Sequence, residues 1–424
     1  MKVRGTSRVP GDKSISHRAM FVAALARGRS ELTGLLTGAD VMSTARMLRQ
    51  LGVAVSAVRG ASVVTVRGAR FRTPRTVLHC GNSGTTARLG LGAIAGHPVR
   101  ARLTGDASLR RRPMGRVVEP LQSMGATFAG DGAGTLPLTV RGGHLHAISY
   151  TLPMASAQVK SALLLAALAG RVPITIVEPS RSRDHTERLF VHLGLDLREN
   201  NGAITFQPSA VGIEPFEITL PGDVSSAAFL VAAAVLAETG ELLIEGVGVN
   251  PTRTGFLAVL ERMGAHVERL NLGAEGGEPV ADLLVRPAEL IGTEVSAAEI
   301  PSLVDEVPVL AALASQARGE TVFREVGELR VKESNRLELV AANLRALGGE
   351  AEARGNNLFV RGAGRPPRGR VDTAGDHRLA MAFGVLGTLP GAEVRLSERA
   401  SVAVSYPGFF RALHRIGSDA RHRN

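Results

Sequence analysis

The chain has 424 residues, 44% of them apolar, which is enough for two or three domains with cores of their own. Its formal charge is +11, but the basic residues are scattered, with two Tyr, no Trp and no tract beyond Arg110-Arg111-Arg112. That excludes an extended nucleic-acid surface and suits small anionic substrates. The single cysteine, Cys80, excludes an intramolecular disulfide and a multi-cysteine zinc site.

In chain order, the first marked stretch is PGDKSISHRA at 10–19, followed by an apolar run that closes at Gly28. Asp12, Ser14 and Ser16 are helix-capping types, and a helix N-terminus carries free N–H groups and partial positive charge. Lys13 and Arg18, about one and a half turns apart, would add two cations for a phosphate or carboxylate. The alternative is a pair of solvated cations. Only four of the 50 basic residues are lysines, namely Lys2, Lys13, Lys160 and Lys332. Where arginine is the default, a lysine is chosen for a compact charge that can give up a proton.

The same pattern of polar start and apolar helix returns five times: CGNSGTTARL, MASAQVKSALLLA, PGDVSSAAFL, VDEVPVLA and GDHRLAMAF. Taking Ser14, Ser83, Ser156, Ser225, Asp305 and Asp376 as markers, the spacing is about 70 residues throughout. A second pattern runs in register with it. Amphipathic helices end at Gly52, Gly125, Gly194, Gly264, Gly348 and Gly417, each expected as a helix C-cap. Short strands such as SVVTV, GELLIEGV and NNLFVRG complete each unit. Helices apolar nearly all round must be buried on every side. The six units therefore predict an α/β fold of two domains, three repeats each, helices inside and strands around them. The restart at PGDV places the domains at 10–220 and at 1–9 plus 221–424. LNLGAEGGEP at 270–279 reads as an exposed Gly-rich loop. Symmetry puts the helix N-termini of each domain at one end, and facing ends would enclose an anion-attracting cleft.

Eight stretches, namely PGDKSISHRA, CGNSGTTARL, RRRP at 110–113, MASAQVKSALLLA, EPSRSRDHTERL at 178–189, VDEVPVLA, RVKESNRL at 330–337 and GDHRLAMAF, resemble the 5-enolpyruvylshikimate-3-phosphate (EPSP) synthase family, in order and over essentially the whole chain. The resemblance implies an inside-out α/β barrel of six βαβαββ repeats. It implies transfer of the enolpyruvyl group of phosphoenolpyruvate to the 5-hydroxyl of shikimate 3-phosphate, as in the shikimate pathway to chorismate and aromatic amino acids, without cofactor or metal. A cytoplasmic monomer with small-molecule substrates, and no nucleic-acid or membrane partner, is expected; MKVRGTSRVPGDKS lacks the apolar core of a signal peptide.

By family correspondence, Lys13, Ser14, Arg18, Ser156, Ala157, Gln158, Asp305 and Lys332 surround shikimate 3-phosphate. Lys13, Gly84, Arg112, Gln158, Arg336 and Arg378 surround phosphoenolpyruvate, with Asn82 and Arg183 as further site residues. Asp305 would take the hydroxyl proton, Glu333 would carry the proton at the methyl carbon, and Lys13 would serve the leaving phosphate. Against this, Asp305 and Glu306 could simply complement a helix dipole, and Glu333 with Arg336 could be an ordinary i, i+3 pair. His377 is expected to cap or support rather than react, and Cys80 to be buried and inert. Two positions depart from the family pattern: Val404 stands where some members have a lysine, and Ala157 where others have a serine. A UDP-N-acetylglucosamine enolpyruvyl transferase would carry a cysteine in the loop LTGDASLRRRPMG, which has none. An RNA-terminal-phosphate-processing protein of related fold and a silent anion-binding module are the other readings.

Overall fold

The structure, a computed structural model, describes residues 1–130 and 134–417. Five of the six apolar helices begin where a side chain can satisfy a free N–H. Asp12 accepts from the Ile15 N–H at 2.9 Å, Ser83 from Thr86 at 3.1 Å and Ser156 from Val159 at 3.5 Å. Asp223 accepts from Ser225 at 2.8 Å and Asp376 from Arg378 at 2.9 Å. Each such cap is worth about 1 kcal/mol. The remaining helix starts at Glu306 without a side-chain cap and has Pro308 in its first turn instead.

The chain divides into two compact units, residues 11–221 with 274–278, and residues 1–10, 222–273 and 279–424. The first unit holds α1 (Lys13–Leu25), α2 (Ala39–Gln50), α3 (Gly84–Ala95), α4 (Ala107–Arg111), α5 (Gly115–Ser123), α6 (Ala157–Gly170) and α7 (His185–His192). The second holds α8 (Val224–Val235), α9 (Gly255–Arg262), α10 (Val307–Ala314), α11 (Arg336–Ala346), α12 (His377–Leu386) and α13 (Phe409–Gly417). Five of the six expected C-cap glycines follow their helices with positive φ, from 73° at Gly194 to 110° at Gly125. Gly417 is instead the last residue of α13.

In the first unit three four-stranded sheets share one pairing order. Arg29–Thr33 lies between a parallel partner, Glu217–Thr219, and antiparallel Val63–Arg67, which in turn pairs with Ala54–Val55. Arg100–Thr104 and Ile174–Val177 occupy the same central place in the other two sheets. The second unit repeats the order around Leu242–Gly248 and Glu320–Phe323. Its third sheet has only Arg368–Val371 and Glu393–Leu396 among the described residues, and α13 follows instead of two more strands.

Burial alternates along the strands, so each sheet covers the helices with one face. Each unit has its own apolar core, built on α1, α3 and α6 in one and on α8, α10 and α12 in the other. Packing inside is close enough to require glycine. A Cβ on Gly92 of α3 would lie 2.1 Å from the Ala162 carbonyl oxygen of α6. Helices inside and sheets outside are the inside-out arrangement that the repeats imply. Among the described residues no helix is long and apolar enough to cross a membrane.

The Gly-rich stretch 270–279 is not a loop. Val267–Glu275 and Glu278–Val285 form a hairpin that turns at Gly276 and Gly277, both with positive φ. Buried Glu278 at its tip lies 2.6 Å from His185 Nδ1. The two glycines supply a hairpin turn, and their polarity hid the strands on either side.

Candidate active site

The starts of α1, α3 and α6 are tied together by side chains in the first unit. Arg18, one turn inside α1, is buried and cannot reach water freely. Its Nε donates to Thr186 Oγ1 at 2.9 Å, Nη2 to Ser161 Oγ at 2.8 Å and Nη1 to the Ser14 carbonyl at 2.9 Å. Lys13 Nζ lies 3.4 Å from Asp40 Oδ2 in the first turn of α2. At α3, Arg88 Nη1 donates to Gln158 Oε1 at 2.7 Å and Nη2 to the Pro113 carbonyl at 2.9 Å. Gln158 Nε2 donates to Thr85 Oγ1 at 2.9 Å, which fixes the amide orientation between the two helices.

Arg112, also buried, donates through Nη2 to Asn82 Oδ1 and to Ser108 Oγ at 3.2 Å. Asn82 in turn donates to Asp106 Oδ2 at 2.6 Å. Gly84 is the first residue of α3, and a Cβ there would meet Arg88 Nη1 at 2.7 Å and Arg112 Nη1 at 3.4 Å. The missing side chain thus lets two guanidiniums crowd a helix N-terminus, an arrangement that receives anions. Buried His17 stands behind this face with Nδ1 2.7 Å from Thr44 Oγ1. Burial, then the charges of Lys13 and Arg18, push its pKa down to about 3.

Lys160 does not face the cluster. Its Nζ is buried between Glu178 and Glu187, 2.6 Å from each. Burial disfavours its charge, yet the two carboxylates outweigh that and raise its pKa. Ser161 and Thr186, which hold Arg18, are sequence neighbours of Lys160 and Glu187, so the buried triad anchors the groups that aim Arg18.

The second unit gathers four cations and five carboxylates at the starts of α8, α10, α11 and α12. Arg336 is fully buried. Its Nε donates to Asp376 Oδ2 at 2.8 Å and Nη2 to Asp376 Oδ1 at 3.2 Å. Nη2 also lies 2.5 Å from Glu333 Oε2, and Nη1 3.4 Å from Asp305 Oδ1. Burial opposes its charge, but Asp376, Glu333 and Asp305 together hold the guanidinium pKa above its ordinary range. Burial likewise opposes the Asp376 carboxylate, and Arg336 overrides it to lower that pKa.

Asp305 has three cations around it: Lys332 at 3.9 Å, Arg336 at 3.4 Å and Arg378 at 3.6 Å. Arg378 also donates to the Asp305 carbonyl at 3.0 Å and lies 3.5 Å from buried Glu306. Buried His377 follows Asp376 at the start of α12, with Nδ1 4.0 Å from Asp376 Oδ1.

Within the first unit the structure brings Lys13, Ser14, Arg18, Gly84, Arg112, Ser156, Ala157 and Gln158 to the joined helix starts, with Asn82 beside them. Within the second it brings together Asp305, Lys332, Glu333, Arg336 and Arg378. Val404 lies in a short 3-10 turn, Ala400–Val404. Three contributors escape a reading by motif. Arg88 had a signal, since it lies four residues after Gly84 and so points back over the helix start. Asp376 marked a repeat without being seen as the partner of Arg336. Arg253, buried, donates to Ser225 Oγ at 2.7 Å and lies 3.5 Å from Asp223, and nothing in PTRTG foretells it.

Cys80, the residue after the strand Leu78–His79, is buried, and burial pushes its thiol up to about 12, so it is not a nucleophile.

The model of the EPSP synthase (3-phosphoshikimate 1-carboxyvinyltransferase) family matches residues 1–413. A 3-phosphoshikimate 1-carboxyvinyltransferase of Thermus thermophilus is 50% identical, over 98% of this chain and 96% of its own. One from Roseiflexus is 46% identical over 98% and 97%. Among solved structures, an EPSP synthase from Acinetobacter baumannii superposes with a TM-score of 0.86 at 36% identity, covering 98% of this chain and 96% of that one. The enolpyruvyl transferase NikO from Streptomyces tendae shares the fold at 20% identity, with a TM-score of 0.77 and coverage of 99% and 96%. Eight motifs in order, six repeats and a match along nearly the whole chain agree: the chain belongs to the EPSP synthase family, the 3-phosphoshikimate 1-carboxyvinyltransferases.

Proposed function

We propose that the chain joins phosphoenolpyruvate to the 5-hydroxyl of shikimate 3-phosphate by addition and elimination, releasing phosphate, with the residues named above in the following roles. The observation that supports this most is Asp305. A carboxylate ringed by Lys332, Arg336 and Arg378 is kept ionised beside groups that bind anions, which is what a base for a hydroxyl next to anionic substrates needs.

Lys13, Ser14, Arg18, Ser156, Ala157, Gln158, Asp305 and Lys332 bind shikimate 3-phosphate. Lys13, Gly84, Arg112, Gln158, Arg336 and Arg378 bind phosphoenolpyruvate. Asp305 removes the hydroxyl proton as the oxygen attacks C2. Glu333 gives a proton to C3, so that a methyl group forms and C2 becomes tetrahedral. In the second half Glu333 takes a methyl proton back, the C2–O bond to phosphate breaks, and Lys13 protonates the leaving phosphate. Glu333 must begin protonated, although Arg336 pairs with it in the free protein. A substrate carboxylate taking the place of Glu333 at Arg336 would remove that counter-charge and raise the proton affinity of Glu333.

The UDP-N-acetylglucosamine reading is disfavoured, as the loop LTGDASLRRRPMG holds no cysteine and Cys80 is buried elsewhere, just past the strand Leu78–His79. The test is phosphate release measured with both substrates. It requires phosphoenolpyruvate and shikimate 3-phosphate together and persists with a metal chelator. Release with UDP-N-acetylglucosamine in place of shikimate 3-phosphate overturns the proposal.

A further inference from the structure

The helices whose N-termini carry the first cluster also have C-termini, and a cavity of about 480 Å³ opens among these in the same unit. That volume is within the range of small-ligand pockets. Leu25, Leu168, Ile213 and Pro98 are among its apolar lining, and four ionisable side chains line it: Arg27, Arg70, Arg171 and His97. No carboxylate lines it.

Two of the arginines converge. A Cβ built on Gly212 would lie 3.7 Å from Arg27 Nε and 3.8 Å from Arg171 Nη2, so both guanidiniums approach one point. Like charges brought this close are ordinarily separated by an acid. Here Arg171 Nη1 donates only to the Ala210 carbonyl, at 3.0 Å. Arg27 and Arg70 have no carboxylate within ion-pair distance among the described residues.

A plainer account is that these arginines complement the negative ends of α1, α3 and α6. Each helix end counts for about half a charge, so three ends offset about half of the three guanidinium charges. A surplus of more than one positive charge remains. His97 supports the sign of the local field. Its buried ring stacks on Phe71 at 4.3 Å, its Nε2 has no hydrogen-bond partner among the described residues, and burial followed by Arg70 pushes its pKa down to about 4.

We propose that this cavity is a second anion site, at the opposite end of the first unit's helices from Lys13, which takes a small molecule bearing two or more clustered anionic groups. At about 1.5 Å per residue the 13-residue α1 separates the two ends by about 20 Å, so occupancy of one leaves the other free. Polycarboxylates and phosphorylated compounds share the chemistry, since both present several acceptor oxygens to forked guanidiniums.

The test is calorimetric titration of the full chain with citrate and, separately, with pyrophosphate at fixed ionic strength. The wild type is compared with a variant carrying Arg27→Gln, Arg70→Gln and Arg171→Gln, in which the Lys13 cluster is intact. The expected result is a binding event in the wild type that is at least tenfold weaker in the triple variant, with phosphate release retained. Response to citrate alone identifies a polycarboxylate site, and response to pyrophosphate alone a phosphate site. A control carrying Arg72→Gln, Arg75→Gln and Arg100→Gln removes the same charge from exposed positions of that unit. Equal loss in this control, equal affinity in the wild type and the triple variant, or no such event with either anion overturns the proposal. If the triple variant does not fold, Arg27→Gln with Arg171→Gln applies the same comparison to the converging pair. Because the readout is binding, failure of the catalytic assignment leaves the result interpretable.

Discussion

Gly84→Ala separates two effects that usually travel together. The substitution puts a methyl 2.7 Å from Arg88 Nη1, and ordinary contact needs about 3.5 Å. The guanidinium must retreat by about 0.8 Å, and it has little room, because it is held by Gln158 at 2.7 Å and the Pro113 carbonyl at 2.9 Å. Stretching the bond to Gln158 by that amount takes it past hydrogen-bond range, at a cost of about 1.5–3 kcal/mol for a charged donor. Alanine in the first turn returns up to about 1 kcal/mol through the unfolded state. Folding stability therefore falls by about 0.5–3 kcal/mol. Phosphoenolpyruvate binding loses more, since the methyl occupies space at the helix start beside Arg112. Steady-state phosphate release should show the KM for phosphoenolpyruvate raised about ten- to a hundredfold, and that for shikimate 3-phosphate changed less than threefold. A phosphoenolpyruvate KM within twofold of wild type would refute the steric reasoning.

Asp305→Asn should lower kcat by about 10²–10⁴ while calorimetry finds shikimate 3-phosphate still bound; loss of binding and turnover together would mean a structural role. Lys160→Met leaves Glu178 and Glu187 buried without their cation, so thermal unfolding should reveal a loss of about 3–5 kcal/mol. Adding Glu187→Gln should recover part of it, and a Lys160→Met midpoint equal to wild type would contradict the buried triad. His17 is held neutral, with a pKa of about 3 against 6.5 in an unfolded chain. The unfolded state therefore binds the proton first as pH falls, and the stability this group confers is whole above about 6.5 and declines toward 3. The slope is at most about 1.4 kcal/mol per pH unit, measured by denaturant titrations across that window. His17→Gln should flatten that part of the profile, and an unchanged slope would count against it.

What could be read before the structure was local. A capping residue acts on N–H groups two or three residues away, and a C-cap glycine on the turn before it, so the five capped starts and five glycine stops were legible. Gly276 and Gly277 show the limit of that rule. The same composition serves a loop and a hairpin turn, and the strands around it are told apart only by what their side chains meet. Lys160 is another case. Its place in MASAQVKSALLLA, two residues after Gln158, puts it beside site residues in sequence, but two acids from a different motif pull it inward. Arg253 has no local signature, because its partners lie about 28 and 30 residues back along the chain. The charge balance of the second cluster was also hidden. The repeats predicted anion-attracting helix starts, whereas five carboxylates already stand there among four cations.

Those carboxylates explain how a fully buried guanidinium can remain available. An isolated arginine at that depth would cost several kcal/mol, and Asp376, with two hydrogen bonds at 2.8 and 3.2 Å, is the partner that offsets this. Asp376 has no exposed side-chain surface, so it cannot leave. Glu333 differs: its side chain is 22% exposed and it precedes Arg336 by one helical turn, outside α11. Losing the pairing with Arg336 would not leave it wholly shut off from water, as it would Asp376. On the proposed roles, a substrate carboxylate arriving at Arg336 exchanges with Glu333 and leaves Asp376 in place, so the buried arginine keeps a counter-ion throughout. Substitution of Asp376 should accordingly cost folding stability, and substitution of Glu333 should cost turnover. The proposal thus assigns support to the fully buried carboxylate on this guanidinium and chemistry to the partly exposed one.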